Sequence, residues 1–446
     1  MNALDALRAG RLAGARQLKL ACGLTHFPPE IFDLADTLEV LDLSGNALSA
    51  LPDALPRLHR LRILFCSGNP FTVLPEVLGA CPQLEMIGFK GCDIGTVPAA
   101  ALPPTLRWLI LTDNRIAELP AGIGGCTRLR KLMLAGNRLT ALPPEMAACT
   151  ELELLRIAAN RLAALPDWLL ALPRLAWLAF AGNPCSDAAE AVCVAGASVA
   201  RIAWADLQLH ERLGEGASGV IHRATWQGGG VARAVALKRF KGAMTSDGLP
   251  HSEMAACAGA GDHPQLIPVL GCVDDHPDGG DSLVMPLIDP ALRNLAGPPS
   301  LDSCTRDIYP AATRFSPAAV LRIAGGIASA LAHLHARGIL HGDLYAHNIL
   351  HGGDGQVLLG DFGAASFFNP DGGRAARALQ RIELRAFGVL LDELLAHCEP
   401  ATGDALAGLA ALRDGCMAGE VEARPSFAET GRLLRQLAGS ACSDAR

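Results

Sequence analysis

Leucines recur with a fixed period along the first half of the chain. The pattern Leu-x-x-Leu-x-Leu-x-x-Asn returns seven times, every 22 or 23 residues, and its copies begin at Leu38, Leu61, Leu84, Leu106, Leu129, Leu152 and Leu175. The ninth position is asparagine in six copies and Cys92 in the third. A single match could arise by chance, but seven in register indicate tandem units whose short strands bury their leucines only by stacking.

This pattern resembles the leucine-rich-repeat family over residues 15–186, including a degenerate first copy at Leu18–Pro28. The resemblance implies an α/β solenoid in which the asparagines bond backbone groups of neighbouring turns as a ladder, with cysteine tolerated at position 92. The outward strand positions form an apolar stripe on the concave face. The stripe predicts a protein-docking groove with Trp108 and Trp177 as candidate anchors. Cover by neighbouring groups, or a strand phase shifted by one residue, would also explain it.

The leucine period ends at Asn183-Pro184, and a different pattern follows. Asp187 can cap a short alanine-rich helix that runs to Ala197. Alternating apolar positions, typical of strands, then begin at Ile202. These changes predict a repeat domain at residues 1–187, a linker at 188–201 and a second domain at 202–440.

A glycine-rich stretch lies between two strand-like runs of the second domain. Gly214, Gly216 and Gly219 are followed by Val220, and a strand ending in Lys238 comes next. A lone Gly-x-Gly-x-x-Gly is weak evidence, but the strand–loop–strand context argues against a Rossmann turn, which requires a helix after the loop. Glycines here allow the backbone to close over a triphosphate. Glu253 opens a predicted helix and can supply a carboxylate partner for the lysine.

Ser316 and Gly338 are typical of the N-cap and the C-terminal end of a helix, so a helix is predicted between them. Two motifs that each contain an aspartate follow this helix. The first is His341-Gly-Asp-Leu-Tyr-Ala-His-Asn348, and the second is Asp361-Phe-Gly. Asp343 can accept the proton of an attacking hydroxyl, whereas Asn348 and Asp361 are hard oxygen ligands suited to magnesium. Because Asp343 and Asn348 are five residues apart, one loop presents both.

In this order, these elements resemble protein kinases over about residues 202–438. The opening Ile-x-Trp-x-x-Leu, Cys416 and Arg424-Pro-Ser-Phe are similar to the tyrosine-kinase-like group. The resemblance implies a bilobal α+β fold after the repeats, hence a multidomain chain, with ATP and Mg²⁺ as cofactors. It assigns an ion pair to Lys238 and Glu253, chemistry to Asp343 and metal binding to Asn348 and Asp361. The nucleotide contacts that it implies are Gly214, Gly216, Gly219, Val220, Ala236, Lys238, the gatekeeper Met285 and the strip 286–288.

The chain departs from the family pattern around Asp343 and after Asp361. Gly342 stands where many kinases have an arginine that receives an activation-loop phosphate, so a phosphate switch is not expected. Only 22 positions separate Asp361 from Glu383, Ser366 is the sole hydroxyl residue between Gly363 and Glu383, and no Ala-Pro-Glu stretch occurs there. The sequence therefore predicts a truncated peptide platform that leaves Arg424 without its usual glutamate.

The charge and the cysteine content of the chain limit the classes of partner and the cellular setting that are expected. The formal charge is −7, residues 1–205 balance 18 basic against 18 acidic residues, and no basic patch suggests nucleic acid. Fourteen cysteines without metal-site spacing favour free thiols in a reducing, cytoplasmic setting. Residues 191–200, the most apolar candidate, are too few to cross a membrane, and no signal-peptide core is visible.

Three functions from different classes fit these observations. The first is an ATP-dependent kinase acting on Ser/Thr, or Tyr, hydroxyls of a protein held by the repeats. The second is a nucleotide-binding pseudokinase scaffold, which the truncated platform favours. The third is a small-molecule phosphotransferase, because His341-Gly-Asp-Leu also resembles aminoglycoside-type kinases.

Overall fold

The computed structural model describes residues 3–197, 199–216, 218–241, 244–353, 355–400 and 404–444, which include every predicted site residue. The chain divides into two compact units, residues 1–172 and 173–446. This division lies before the predicted domain end at residue 187. The last predicted repeat, which begins at Leu175, therefore belongs to the second unit.

The first unit is built from short parallel strands that pair in chain order. The strands are β1 (Gln17–Lys19), β2 (Val40–Asp42), β3 (Ile63–Phe65), β4 (Met86–Gly88), β5 (Trp108–Ile110), β6 (Lys131–Met133) and β7 (Leu154–Arg156). The central residue of each strand is buried, as the leucine period predicts. Most connections contain a 3₁₀ turn, and the helices α1 (Ala3–Arg8) and α2 (Asp167–Leu170) lie near the two ends of the unit.

The predicted asparagine ladder is present in this unit. The side-chain amide of Asn69 donates to the carbonyls of Leu43 and Cys66, both at 2.9 Å, and its Oδ1 accepts the Leu48 N–H at 2.9 Å. The equivalent bonds recur at Asn114, Asn137 and Asn160. The Cys92 thiol donates to the Cys66 carbonyl at 3.5 Å, so it replaces part of one rung.

The apolar stripe on the strands is partly covered. Met86 and Ile63 are buried, and the Phe65 ring lies over Gly88, where a Cβ would come within 2.5 Å of it. Trp108 is half-buried, and the Lys131 ammonium lies 4.3 Å from the centroid of its ring. The stripe is therefore not a continuous exposed apolar surface.

The second unit opens with β8 (Trp177–Ala179) and α3 (Pro184–Gly196) and continues into a sheet. The sheet order is β10-β11-β12-β14-β13-β9, antiparallel except for the β9–β13 pair. Its strands are β9 (Ala200–Ala203), β10 (Leu207–Glu215), β11 (Gly219–Trp226), β12 (Arg233–Phe240), β13 (Gly271–Asp274) and β14 (Ser282–Pro286). Ile202, Leu237 and Val284 are core residues of the sheet. Helix α4 (Pro250–Ala260) follows β12 and contacts α3.

The rest of the unit is mainly helical. Its helices are α5 (Pro317–Ala336), α6 (Gly373–Ala396), α7 (Asp404–Cys416) and α8 (Phe427–Asp444), and the short strands are β15 (Arg293–Asn294), β16 (Ile339–Leu340), β17 (Ile349–His351), β18 (Val357–Leu359) and β19 (Ser366–Phe367). The predicted N-cap is present, since Ser316 Oγ accepts the Ala319 N–H at 3.2 Å. Within the described ranges, α5 alone is long and apolar enough to cross a membrane, a criterion that a core helix also meets, and 11 of its residues are buried.

Candidate active site

A cavity of about 650 Å³ lies beside the six-stranded sheet of the second unit. The glycine-rich hairpin between β10 and β11 contributes Gly214, Gly216 and Gly219 to its lining, while β12 contributes Ala236 and Lys238. Further along the wall are Met285 and the strip 286–288. The cavity therefore brings together all the predicted nucleotide contacts except one.

The exception is Val220, which does not line the cavity. The pairing of β11 with β12 sets Ile221 opposite Lys238 and Val220 opposite Arg239. Because alternate residues of a strand point to opposite faces, Ile221 shares the cavity face with Lys238 and Val220 does not. The prediction was thus displaced by one residue. Leu213 and Leu350 also line the cavity and were missed.

Lys238 and Glu253 form a buried ion pair between β12 and α4. Their side chains are 14% and 2% exposed, so both charges are almost removed from water. Burial alone lowers the pKa of Lys238, but the neighbouring carboxylates of Glu253 and Asp361 outweigh it, and the pKa is raised. The ammonium therefore stays charged beside the cavity.

Asp361 lines the same cavity in an uncommon backbone conformation. Its φ is 57°, in the left-handed region, which costs a non-glycine residue about 1–3 kcal/mol and is found mostly where a site requires it. The Gly363 N–H donates to its Oδ1 at 3.2 Å and orients the carboxylate. The aspartate is thus held at the cavity that Lys238 also lines.

Asp343 and Asn348 are joined by the turn that ends their loop. The Asn348 amide donates to Asp343 Oδ2 at 2.8 Å and to the Asp343 carbonyl at 3.0 Å. A 3₁₀ turn, Ala346–Asn348, brings the asparagine back to the aspartate. Both bonds use the amide nitrogen, so the side-chain oxygen of Asn348 is left as a ligand.

The oxygens of Asn348 and Asp361 fit a hard divalent cation. The described part of the chain contains no cluster of three or more His, Cys, Asp or Glu side chains able to hold a metal. Mg²⁺ commonly takes one or two protein oxygens and completes its shell with water and phosphate. This donor set suits a cation that arrives with a phosphorylated ligand.

Residues of α5 and α6 hold the loop that carries Asp343 and Asn348. Glu383 on α6 accepts the Gly342 N–H at 2.7 Å, and its other oxygen lies 2.6 Å from His335 Nε2. Burial raises the pKa of Glu383, but the contacts with His335, His341 and the Gly342 N–H together outweigh it and the pKa is lowered, so a carboxylate is held there. His341 Nε2 donates to the Gly360 carbonyl at 2.8 Å and ties the loop to the strand before Asp361. His335 was not identified from the sequence.

Two segments of the chain match known protein families. Residues 207–385 match the family of protein tyrosine and serine/threonine kinases, and residues 37–58 match the leucine-rich-repeat family. The chain carries a protein-kinase domain and a leucine-rich repeat. The loop His341–Asn348 lies within the matched residues, and it is called the catalytic loop below because we propose a catalytic role for Asp343.

Similar proteins carry kinase names. The chain is 26% identical to the serine/threonine-protein kinase CTR1 of Arabidopsis thaliana over 54% of its own length and 32% of that protein. It is 29% identical to cyclin-dependent kinase 20 of Rattus norvegicus over 41% of its own length and 55% of the relative. For the serine/threonine-protein kinase PknL of Mycobacterium tuberculosis, the identity is 31% over 21% of this chain and 28% of the relative. The chain thus spans between about a quarter and just over half of these relatives.

The kinase domain covers Trp177 instead of exposing it. Trp177 is 1% exposed, its indole N–H donates to the Leu344 carbonyl at 2.8 Å, and its ring stacks on Tyr345 with centroids 4.4 Å apart. The prediction that Trp177 is an exposed anchor for a partner is therefore wrong. The catalytic loop already occupies the face on which a partner would bind.

Two further polar residues are fixed around the catalytic loop. Ser366 is fully buried and its Oγ accepts the Phe180 N–H at 2.8 Å, so the sole hydroxyl residue of the short segment is covered. The Asp307 carboxylate accepts from the backbone N–H of His347 at 3.0 Å and lies 2.8 Å from its Nδ1. Burial lowers the pKa of His347, but the hydrogen bond and charge of Asp307, together with the charges of Asp343 and Asp361, outweigh it and the pKa is raised.

The Gly342→Ala variant is expected to lower the free energy of unfolding by at least about 1–3 kcal/mol. Gly342 has a φ of 72°, and an added Cβ would lie 2.3 Å from the Ala364 carbonyl oxygen and 3.0 Å from that of Leu178. Gly353→Ala is the matched control, because its Cβ would meet no atom within 4 Å. Equal denaturation midpoints for the two variants would contradict the crowding at Gly342.

Proposed function

We propose that this chain is an ATP-dependent protein kinase that phosphorylates hydroxyls of a protein recruited by its repeats. The main support for this proposal is the set of groups around one cavity. The Lys238–Glu253 pair and Asp361 lie at the cavity, and the hydrogen-bonded Asp343–Asn348 couple is on the loop leading to Leu350 in its lining. Phosphoryl transfer requires positioning and charge stabilisation of this kind.

Each group has a role in this proposal. The glycine hairpin covers ATP, and the ammonium of Lys238, held by Glu253, binds its phosphates. Asn348 and Asp361 hold Mg²⁺, which neutralises charge on the phosphates. Asp343 accepts the proton of the acceptor hydroxyl while the oxygen of that hydroxyl bonds to the γ-phosphorus. The bond between the γ-phosphorus and the bridging oxygen breaks, and ADP leaves.

Serine and threonine are the proposed acceptors, since two of the similar proteins cited above are named serine/threonine-protein kinases. The parallel strands and the asparagine ladder support a solenoid that recruits the partner, with Trp108 as the remaining candidate anchor. Thirteen described cysteines are free thiols, which supports a reducing, cytoplasmic setting.

A scaffold with little turnover is the second candidate, and one observation favours it. Strand β19 ends at Phe367 and α6 begins at Gly373, so the segment after Asp361 is too short to form a long platform for a peptide. Under this alternative, the cavity binds nucleotide and the repeats bind partners without transfer.

The test is incubation of the full chain with γ-labelled ATP, Mg²⁺ and a lysate of its source organism. We expect label in protein as phosphoserine or phosphothreonine, and its loss when EDTA removes the metal. Label recovered as phosphotyrosine would show that tyrosine, and not serine or threonine, is the acceptor. ATP binding without transfer would support the scaffold, and label confined to small molecules would support a small-molecule phosphotransferase.

A further inference from the structure

One face of the catalytic loop is covered by residues 173–183, here called the terminal repeat, which belong to the same compact unit. Trp177 lies at its centre and is bonded to Leu344 and stacked on Tyr345, with ring planes only 5° apart. Arg306 adds a third layer, because its guanidinium carbon lies 5.8 Å from the Trp177 ring centroid. The terminal repeat therefore contacts the two residues that immediately follow Asp343.

The start of the terminal repeat is held by buried arginines. Arg424 is 1% exposed and donates to the Pro173 carbonyl at 2.7 Å, as well as to the carbonyls of Arg381 and Ala418 at 3.0 and 2.9 Å. Arg385 donates to the Arg174 carbonyl at 3.2 Å. Among the described residues Arg424 forms no salt bridge, so carbonyls of the terminal repeat, of α6 and of the chain just after α7 take the place of a carboxylate.

The end of the terminal repeat reaches the chain that follows Asp361. Phe180 donates its N–H to Ser366 on β19, and the Leu178 carbonyl closes over Gly342. Strand β19 in turn pairs with β16, which leads into the catalytic loop. Backbone on both sides of Asp343 is thereby fixed by the same eleven-residue segment.

The catalytic loop is thus clamped from two sides. Glu383 and His341 hold its inner side through the bonds described above, and Trp177 holds its outer side. Only nine residues lie between Gly363 and the start of α6 at Gly373, and one of them, Ser366, accepts the Phe180 N–H of the terminal repeat. A loop held on both sides keeps its aspartate in one place.

We propose that the terminal repeat is a working part of the kinase domain and that Trp177 is a positioning residue for Asp343. Trp177 acts through Leu344 and Tyr345 and does not touch the reacting atoms. This inference rests on the proposed kinase function. A displacement of about 1 Å at a catalytic group costs about 10²-fold in rate, which sets the size of the effect.

The test uses the full chain and compares Trp177→Ala, Trp177→Phe and the control Trp168→Ala, which alters a half-buried tryptophan of α2 in the first unit. Trp177→Ala is expected to lower kcat about 10²-fold with the KM for ATP little changed. Trp177→Phe keeps the stacking and loses the hydrogen bond to Leu344, so an intermediate kcat is expected. Amide hydrogen exchange of residues 341–348 should rise in the same order, and Trp168→Ala should change neither quantity.

Hydrogen exchange separates failure of this inference from failure of the proposed function. If wild type transfers no phosphate, the proposed kinase function fails, while faster exchange of residues 341–348 in Trp177→Ala still supports loop positioning. Unchanged exchange in that variant overturns the positioning role whatever the activity. A KM for ATP that rises with unchanged kcat also overturns it. If Trp177→Ala does not fold, Trp177→Phe decides between these outcomes.

Discussion

The Asp343→Asn variant is expected to lose about 10²–10⁴-fold in kcat, because general-base catalysis contributes that much to proton transfer. Asparagine has the shape of aspartate, and its side-chain oxygen can still accept the 2.8 Å bond from Asn348. The loop should therefore keep its conformation. The amide cannot take the proton of the acceptor hydroxyl, so only the chemical step is lost.

This variant requires two measurements on the full chain. Phosphate transfer at saturating ATP gives the loss of kcat, and calorimetric titration with ATP and Mg²⁺ should give a dissociation constant close to that of wild type. Asp371→Asn serves as the control, since Asp371 is exposed just before α6 and should leave both values unchanged. Wild-type kcat in Asp343→Asn would refute the role proposed for the catalytic loop.

Features that depend on local sequence were predictable in both units. Each asparagine of the repeat bonds carbonyls fixed by the same short strand and its neighbour, so a period of 22 or 23 residues is enough to imply the ladder. The Ser316 cap of α5 likewise depends only on residues close to it in the sequence. The pairing of Lys238 with Glu253 was inferred from the order of a strand and a helix, and the structure brings the two side chains together.

Features that depend on distant contacts were not predictable. The repeat pattern gives Trp177 the same outward position as Trp108, and nothing in its period indicates that Tyr345, 168 positions later, stacks on it. The displacement from Val220 to Ile221 has a simpler cause. Glycine spacing locates a hairpin, but the face of the following strand is fixed only by its register with β12.

The Lys238→Met variant is expected to abolish measurable transfer and to destabilise the domain by about 3–5 kcal/mol, the usual cost of removing one partner of a buried ion pair. Glu253 is 2% exposed and would remain without its cation. Asp361 contributes a second carboxylate to the surroundings of that site, which adds to the cost. Chemical denaturation measures the stability, and transfer from γ-labelled ATP measures the activity.

A second substitution separates stability from function at this pair. The Lys238→Met/Glu253→Leu variant removes both charges and fills the space with apolar atoms, which for buried pairs is often neutral or stabilising. We therefore expect its free energy of unfolding to return close to that of wild type, while transfer stays absent because no ammonium binds the phosphates. Lys19→Met, at an exposed pair with Asp42 in the first unit, should change neither measurement. Transfer restored together with stability in the double variant would show that Lys238 serves only to balance the charge of Glu253.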